Sequence, residues 1–138
     1  MKDTVNIKIK FREPFRPFAP AVLEEQANRY FELPGRAPNY PARFMLLVAQ
    51  VAEGERGTIP AVTHVDGSAR LQTVNRQTNP KYHRLIERFG EETGVPILLN
   101  TSFNLQGEPV VASPSNAINT FGNSGLDLLA LGNFLACK

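Results

Sequence analysis

Residues 79–100 read NPKYHRLIERFGEETGVPILLN, and this stretch decides the fold class. Asn79 is a good helix cap, Pro80 suits a first helical position, and Gly94 suits a helix end. Between them Tyr82, Leu85, Ile86 and Phe89 fall at i, i+3, i+4 and i+7, which makes one apolar face. VPILLN at 95–100 then reads as a short buried strand. A helix that runs straight into a buried strand points to a sheet covered by helices.

Working outward, the remaining segments agree with a mixed order of elements. VNIKIKFR at 5–12 alternates apolar and polar residues, the pattern of a half-buried strand. EPFRPFAP at 13–20 holds three prolines and excludes a regular element. AVLEEQANRYF at 21–31 follows Pro20 and predicts a helix. LPGRAPNYPAR at 33–43 is a loop. FMLLVAQV at 44–51 is an apolar run of strand length, read as a central strand. IPAVTHV at 59–65 and ARLQTV at 69–74 flank Asp66-Gly67-Ser68, a hairpin signal. PVVA at 109–112 predicts a short strand. Ser113 or Ser115 caps a short helix that ends near Gly122, and the tail folds as two strands around Gly132-Asn133. The reading is one α/β (α+β) domain over residues 1–138, with a twisted mixed β-sheet and flanking helices.

Composition limits the function. The chain has 138 residues, 42% apolar and 20% charged, which fits a folded domain and excludes a disordered acidic tail. No apolar run nears the ~18 residues of a membrane-spanning helix, and the first twenty residues lack the apolar centre of a signal peptide. A single cysteine, Cys137, excludes an internal disulfide and a cysteine-cluster zinc site, and points to the cytoplasm. His64 and His83 lack metal-ligand spacing, so no protein-bound metal is expected. A net charge of +2 is small, yet residues 1–20 carry five basic and two acidic groups. Such focused charge suits a small anion site better than a nucleic-acid coat.

Three polar segments stand out. Lys8, Lys10 and Arg12 would share one face of a strand, about 6.5–7 Å apart. Arg16 follows in a proline-locked turn, so its position is restrained. THVDGSAR at 63–70 places His64, Asp66, Ser68 and Arg70 at alternate positions beside a glycine that permits close backbone approach. Asn100, Thr101, Ser102 and Asn104 follow the buried strand VPILL, where open α/β sheets bind their ligands. These three segments also have ordinary structural readings, as a solvated edge, a polar hairpin and an Asx-rich turn. Neither a GxxxxGK[ST] loop nor a GxGxxG fingerprint is present.

KIKFREPFRPFAPAVLEE, IPAVTHVDGSARLQTV, TGVPILLNTSFNLQGEPVV and the closing LDLLALGNFLACK resemble, in that order, the C-terminal domain of the O-carbamoyltransferases of the nodulation and tobramycin types. The resemblance implies a YrdC-like fold, and binding of ATP and carbamoyl phosphate to make carbamoyl adenylate. It implies ATP with Mg2+ as the substrate complex. It also implies a partner, an N-terminal metal-containing domain absent from this chain, which passes the carbamoyl group to an acceptor. Lys10-Phe11-Arg12 and Ser102-Phe103-Asn104 look like the family's Lys-x-Arg and Ser-x-Asn elements. On this reading Lys8, Lys10, Arg12, Arg16, Arg70, Arg76, Asn100, Thr101, Ser102 and Asn104 bind substrate or nucleotide. Arg12, Arg70 and His64 act in catalysis, His64 as a proton carrier or positioning residue. The alternatives are a basic nucleic-acid-binding module, and a docking domain inactive without its partner.

Overall fold

The computed structural model describes residues 1–35 and 40–138, so part of the loop expected over 33–43 lies outside the described residues. The chain divides into two compact units, Pro17–Thr101 and the pair of segments Met1–Arg16 with Ser102–Lys138. The fold class is α+β, as expected. No helix among the described residues is long and apolar enough to cross a membrane.

The larger unit holds two three-stranded sheets. The first has β1 (Ala19–Leu23) at its centre, parallel to β5 (Gln72–Val74) and antiparallel to β6 (Ile97–Asn100). It is therefore mixed. The second runs β2 (Phe31–Glu32), β3 (Val48–Val51), β4 (Ser68–Arg70), all antiparallel. One stretch of chain feeds both sheets: it is β4 until Leu71, which is fully buried, and β5 after it. Helix α3 (Pro80–Thr93) covers the first sheet, with Ile86 packed into Ala21, Leu23 and Val74.

The caps of α3 are those read from the sequence. Asn79 accepts from the Tyr82 N–H at 3.4 Å, Pro80 starts the helix, and Gly94 ends it at φ +78°. Its buried face is rotated from the expected one: His83 and Ile86 are buried, while Leu85 is 57% exposed. Two contacts cause the rotation. Gly90 faces Pro96, where a Cβ would lie 2.6 Å from the proline Cβ, so only glycine permits this approach. His83 Nε2 lies 2.8 Å from Glu25 Oε1 and so has a partner at its buried position.

Five expectations are corrected. Residues 21–31 are not one helix: Ala19–Leu23 is a strand, buried along its whole length, followed by a 3-10 turn at Glu24–Gln26 and α2 (Ala27–Tyr30). A small, apolar segment that is covered on both faces gains more from sheet pairing than from a solvated helix. Residues 59–65 form turns rather than a strand, because their carbonyls close local bonds such as Val62 N–H to Ile59 O and Thr63 Oγ1 to Ile59 O. Residues 109–112 pair with no strand. The run 44–51 is a strand only from Val48. Phe44, Leu46 and Val48 are 57%, 77% and 58% exposed, so this middle strand is not buried on both faces.

In the smaller unit residues 5–12 are the fifth correction. Lys2–Thr4 is a turn of α-helix, α1, that widens into a π-helix over Val5–Lys10. The alternation of Val5, Ile7 and Ile9 predicts a strand, but the residues that go inside are Asn6 and Lys10, spaced i, i+4. In this conformation their buried polar atoms find partners. Phe11 ends the helix in the left-handed region, at φ 50° and ψ 44°. Further on, Ser113 caps α4 (Pro114–Gly122) through the Asn116 N–H at 3.2 Å. The tail is the expected hairpin, β7 (Leu128–Leu131) and β8 (Phe134–Cys137), turning at Gly132. Ala117, Phe121 and Leu129 form this unit's apolar cluster.

Two measurements check these assignments. Phe11→Gly and Phe11→Ala both remove the ring, and only glycine adopts the left-handed conformation freely. The Gly variant should be more stable in urea by about 1 kcal/mol; equal stability would deny the left-handed turn. The second concerns Glu24, which accepts from Arg43 Nε at 2.8 Å and Nη2 at 3.2 Å, and from Asn75 Nδ2. Burial raises its pKa, but these hydrogen bonds and the Arg43 charge outweigh it and hold the carboxyl below its ordinary value. Stability from this group is present above an unfolded value near ~4.3 and is lost as pH falls through the lower folded value. Glu24→Gln should therefore flatten the loss of Tm between neutral and acid pH.

Candidate functional site

The smaller unit builds a cleft of about 170 Å³ from chain ends that are ninety residues apart in sequence. Lys10, Arg12 and Arg16 line one side, and Ser102, Asn104 and Gly107 the other. The Lys-x-Arg pair lies on one side because of Phe11, not because of a strand. In a regular helix, side chains two residues apart point about 200° apart. The left-handed residue between them turns Arg12 back toward the cleft.

Lys10 is 4% exposed, and its ammonium is surrounded by the 102–104 turn. Nζ donates to Ser102 O at 2.7 Å, Asn104 O at 2.6 Å and Asn104 Oδ1 at 2.8 Å, with Ser102 Oγ at 3.3 Å. Ser102 Oγ in turn donates to Asn104 Oδ1 at 2.6 Å, and Asn104 Nδ2 to Glu108 O at 2.9 Å. An ammonium has three protons, and here oxygens of the protein take them. Lys10 therefore shapes the turn and supplies charge, while the guanidinium groups face the cleft.

Glu108 supports this turn from below. Its Oε2 accepts from the Leu105 N–H at 3.0 Å and from buried Thr120 Oγ1 at 3.2 Å. Asn6, fully buried, accepts from Arg12 Nε at 2.7 Å. Neither residue is singled out by the sequence. A lone Asn or Glu carries no spacing signal, and its role lies in partners far along the chain.

The cleft concentrates positive charge. Burial, then the charges of Arg12 and Arg16, lower the pKa of Lys10, against a smaller raising effect of Glu108. Burial and Arg16 lower that of Arg12, opposed by Glu13. Both shifts mean that a second anion in the cleft would relieve desolvation and repulsion together. Arg16 is about half exposed, with Glu13 at 4.0 Å. A small anion gripped by two guanidinium forks, with an Asn/Ser wall opposite, is what this cleft can hold.

The other expected residues divide into two groups. Lys8 is exposed and lies outside the cleft lining; its carbonyl accepts from the Gly125 N–H at 3.1 Å. Arg70, Arg76, Asn100, Thr101 and His64 belong to the larger unit. Arg70 is exposed on β4 and Arg76 exposed in the turn after β5. Asn100 Nδ2 donates to Gln72 Oε1 at 2.6 Å at the end of β6, and Thr101 follows it, half-buried.

His64 sits in a short relay. Asp66 Oδ1 accepts from the Ser68 N–H at 2.9 Å and from Ser68 Oγ at 2.7 Å, and these bonds hold the Asp66 carboxyl below its ordinary pKa. His64 Nδ1 lies 3.2 Å from the same hydroxyl. Because the Ser68 proton goes to Asp66, Nδ1 is the donor, which leaves Nε2 as the proton acceptor. Asp66 and Ser68 thus fix the tautomer of His64.

This arrangement can be set beside known proteins. Residues 1–138 match the model described as carbamoyltransferase C-terminus. The chain is 52% identical to nodulation protein NolNO of Sinorhizobium fredii over 137 residues, covering 99% of this chain and 20% of that protein. It is 51% identical to nodulation protein NolO of Bradyrhizobium diazoefficiens over 137 residues, covering 99% of this chain and 25% of the other. It is 44% identical to nodulation protein U of Rhizobium tropici over 107 residues, 78% of this chain and 18% of that one. The chain thus spans about a fifth to a quarter of the length of these relatives. With every residue inside the matched region, the chain belongs to the carbamoyltransferase family and corresponds to its C-terminal part.

Proposed function

We propose that this domain binds ATP and carbamoyl phosphate and makes carbamoyl adenylate, which an N-terminal domain of the longer enzyme then uses for transfer. The observation that carries the reading is the cleft in which Arg12 and Arg16 face Ser102 and Asn104. Water cleaves carbamoyl phosphate to carbamate and phosphate. A carbamate oxygen then attacks the α-phosphorus of ATP, the bond to the β-phosphate bridging oxygen breaks, and pyrophosphate leaves. Such chemistry asks mainly for positioning and for neutralisation of charge.

Arg12 and Arg16 would hold phosphate and carbamate oxygens. Ser102 and Asn104 form the neutral wall toward the carbamoyl group, and Lys10 keeps that wall in place while adding its charge. Lys8 adds charge at longer range. On the larger unit, Arg70 and Arg76 are assigned to the triphosphate, and Asn100 and Thr101 to nucleotide hydrogen bonds. His64, with Nε2 as acceptor, is assigned the proton taken from water. Magnesium enters with the nucleotide, held by phosphate oxygens. We place the reaction in the cytoplasm.

Pyrophosphate release from ATP plus carbamoyl phosphate is the direct test. The chain should release pyrophosphate only when both substrates are present, and calorimetry at millimolar ATP should show binding; absence of ATP binding would sink the reading. Arg12→Ala should weaken nucleotide binding by about 2–3 kcal/mol through loss of charge-assisted hydrogen bonds. Unchanged affinity would remove Arg12 from the site.

A further inference from the structure

We infer that Asn6 is the positioning residue of the anion site, fixing the plane of the Arg12 guanidinium and the path of the loop that carries Arg16. The inference rests on the reading of the Lys10–Arg12–Arg16 cleft as the phosphate site.

Asn6 is fully buried one helical turn before Lys10. Its carboxamide uses every hydrogen it has. Nδ2 donates to Pro14 O at 3.1 Å and to Arg16 O at 3.0 Å. Oδ1 accepts from Arg12 Nε at 2.7 Å. Its main-chain carbonyl also takes the Phe11 N–H at the helix end, and the Arg12 N–H at 3.0 Å. The amide orientation follows from these partners, because only the NH2 group can face two carbonyls.

Two features make this one side chain decisive. Pro14 and Pro17 carry no N–H and cannot donate a main-chain hydrogen bond, whereas the Arg16 N–H donates to Glu13 O at 3.2 Å. The two Asn6 donors hold the loop at two of its carbonyls, Pro14 O and Arg16 O. The guanidinium, in turn, is planar. Once Nε–H is bonded to Oδ1, rotation about the last side-chain bond is restricted, and the Nη edge keeps one direction. A preset fork loses less conformational freedom when an anion arrives. The carboxamide also does this without charge. An aspartate would keep the acceptor, lose both donors and neutralise Arg12; an alanine would lose all three bonds.

A double-mutant cycle on the whole chain, with inorganic pyrophosphate as the calorimetric probe, tests the role. Asn6→Ala should lower pyrophosphate affinity at least tenfold in the wild-type background and less than twofold in the Arg12→Ala background. A residue that merely stabilises the fold would lower affinity by the same factor in both, and that outcome overturns the inference while leaving the cleft as the anion site. Absence of pyrophosphate binding by the wild type would overturn the reading of the cleft, and the inference with it. Should Asn6→Ala fail to fold, the wild type still decides. The Arg12 Nε–H resonance should exchange with water at least tenfold more slowly than that of Arg70, which is exposed on its strand. Exchange at the same rate would overturn the positioning role.

Discussion

The contact on which the rest of the smaller unit depends is the ammonium of Lys10 inside the turn Ser102–Asn104. It joins residue 10 to residues 102 and 104, and so closes a loop of more than ninety residues with one side chain. The charge is taken almost wholly out of water, a step that is unfavourable for an isolated ammonium. Four oxygens, two of them main-chain carbonyls, replace the lost water. The helix over residues 2–10 is the conformation that delivers the lysine there. The left-handed Phe11 and the cleft-lining Arg12 follow from the same commitment.

The electrostatic balance of the cleft explains why it reads as a site rather than as a structural knot. A structural cluster of buried charges is usually paired within itself. Here three cations converge, and the nearby carboxylates, Glu13 and Glu108, are outnumbered. Glu108 is also engaged by Leu105 and Thr120. Burial first, and neighbouring cations after it, lower the pKa of Lys10 and Arg12, and a phosphate beside them would act in the opposite direction.

How much of this could be read from the sequence depended on the range of the interactions involved. Helix α3 was legible because Asn79, Pro80 and Gly94 act within one turn of themselves, and the same holds for Ser113 and Gly132. Strand β1 was misread as a helix because its burial is imposed by β5 and β6, which lie fifty to eighty residues away. The N-terminal helix was misread for a sharper reason. Its alternating Val5, Ile7 and Ile9 are the visible pattern, but its conformation is set by the hydrogen bonds of Asn6 and Lys10, which a hydropathy pattern does not encode. The closeness of Lys10 and Arg12 was foreseen on a false geometric ground, with a left-handed residue doing the work assigned to strand alternation. Asn6 and Glu108 carried no local signal at all. The Asp66–Ser68–His64 relay was visible as alternating polar residues, but not the direction of its protons.

The coordination of Lys10 also makes the order of the Lys-x-Arg pair one-way. The Lys10 ammonium is surrounded by four oxygens, and a compact ammonium can direct its donors to several of them. A guanidinium is flat and longer, and would have to push the turn open to enter. At position 12 the need is different: Asn6 holds a planar group by its Nε edge at 2.7 Å, which a single ammonium cannot provide. Exchanging the two residues would leave the charge of the chain unchanged and would dismantle both the wall and the fork. The two basic positions are distinct parts of one device, and charge is the least specific property that either contributes.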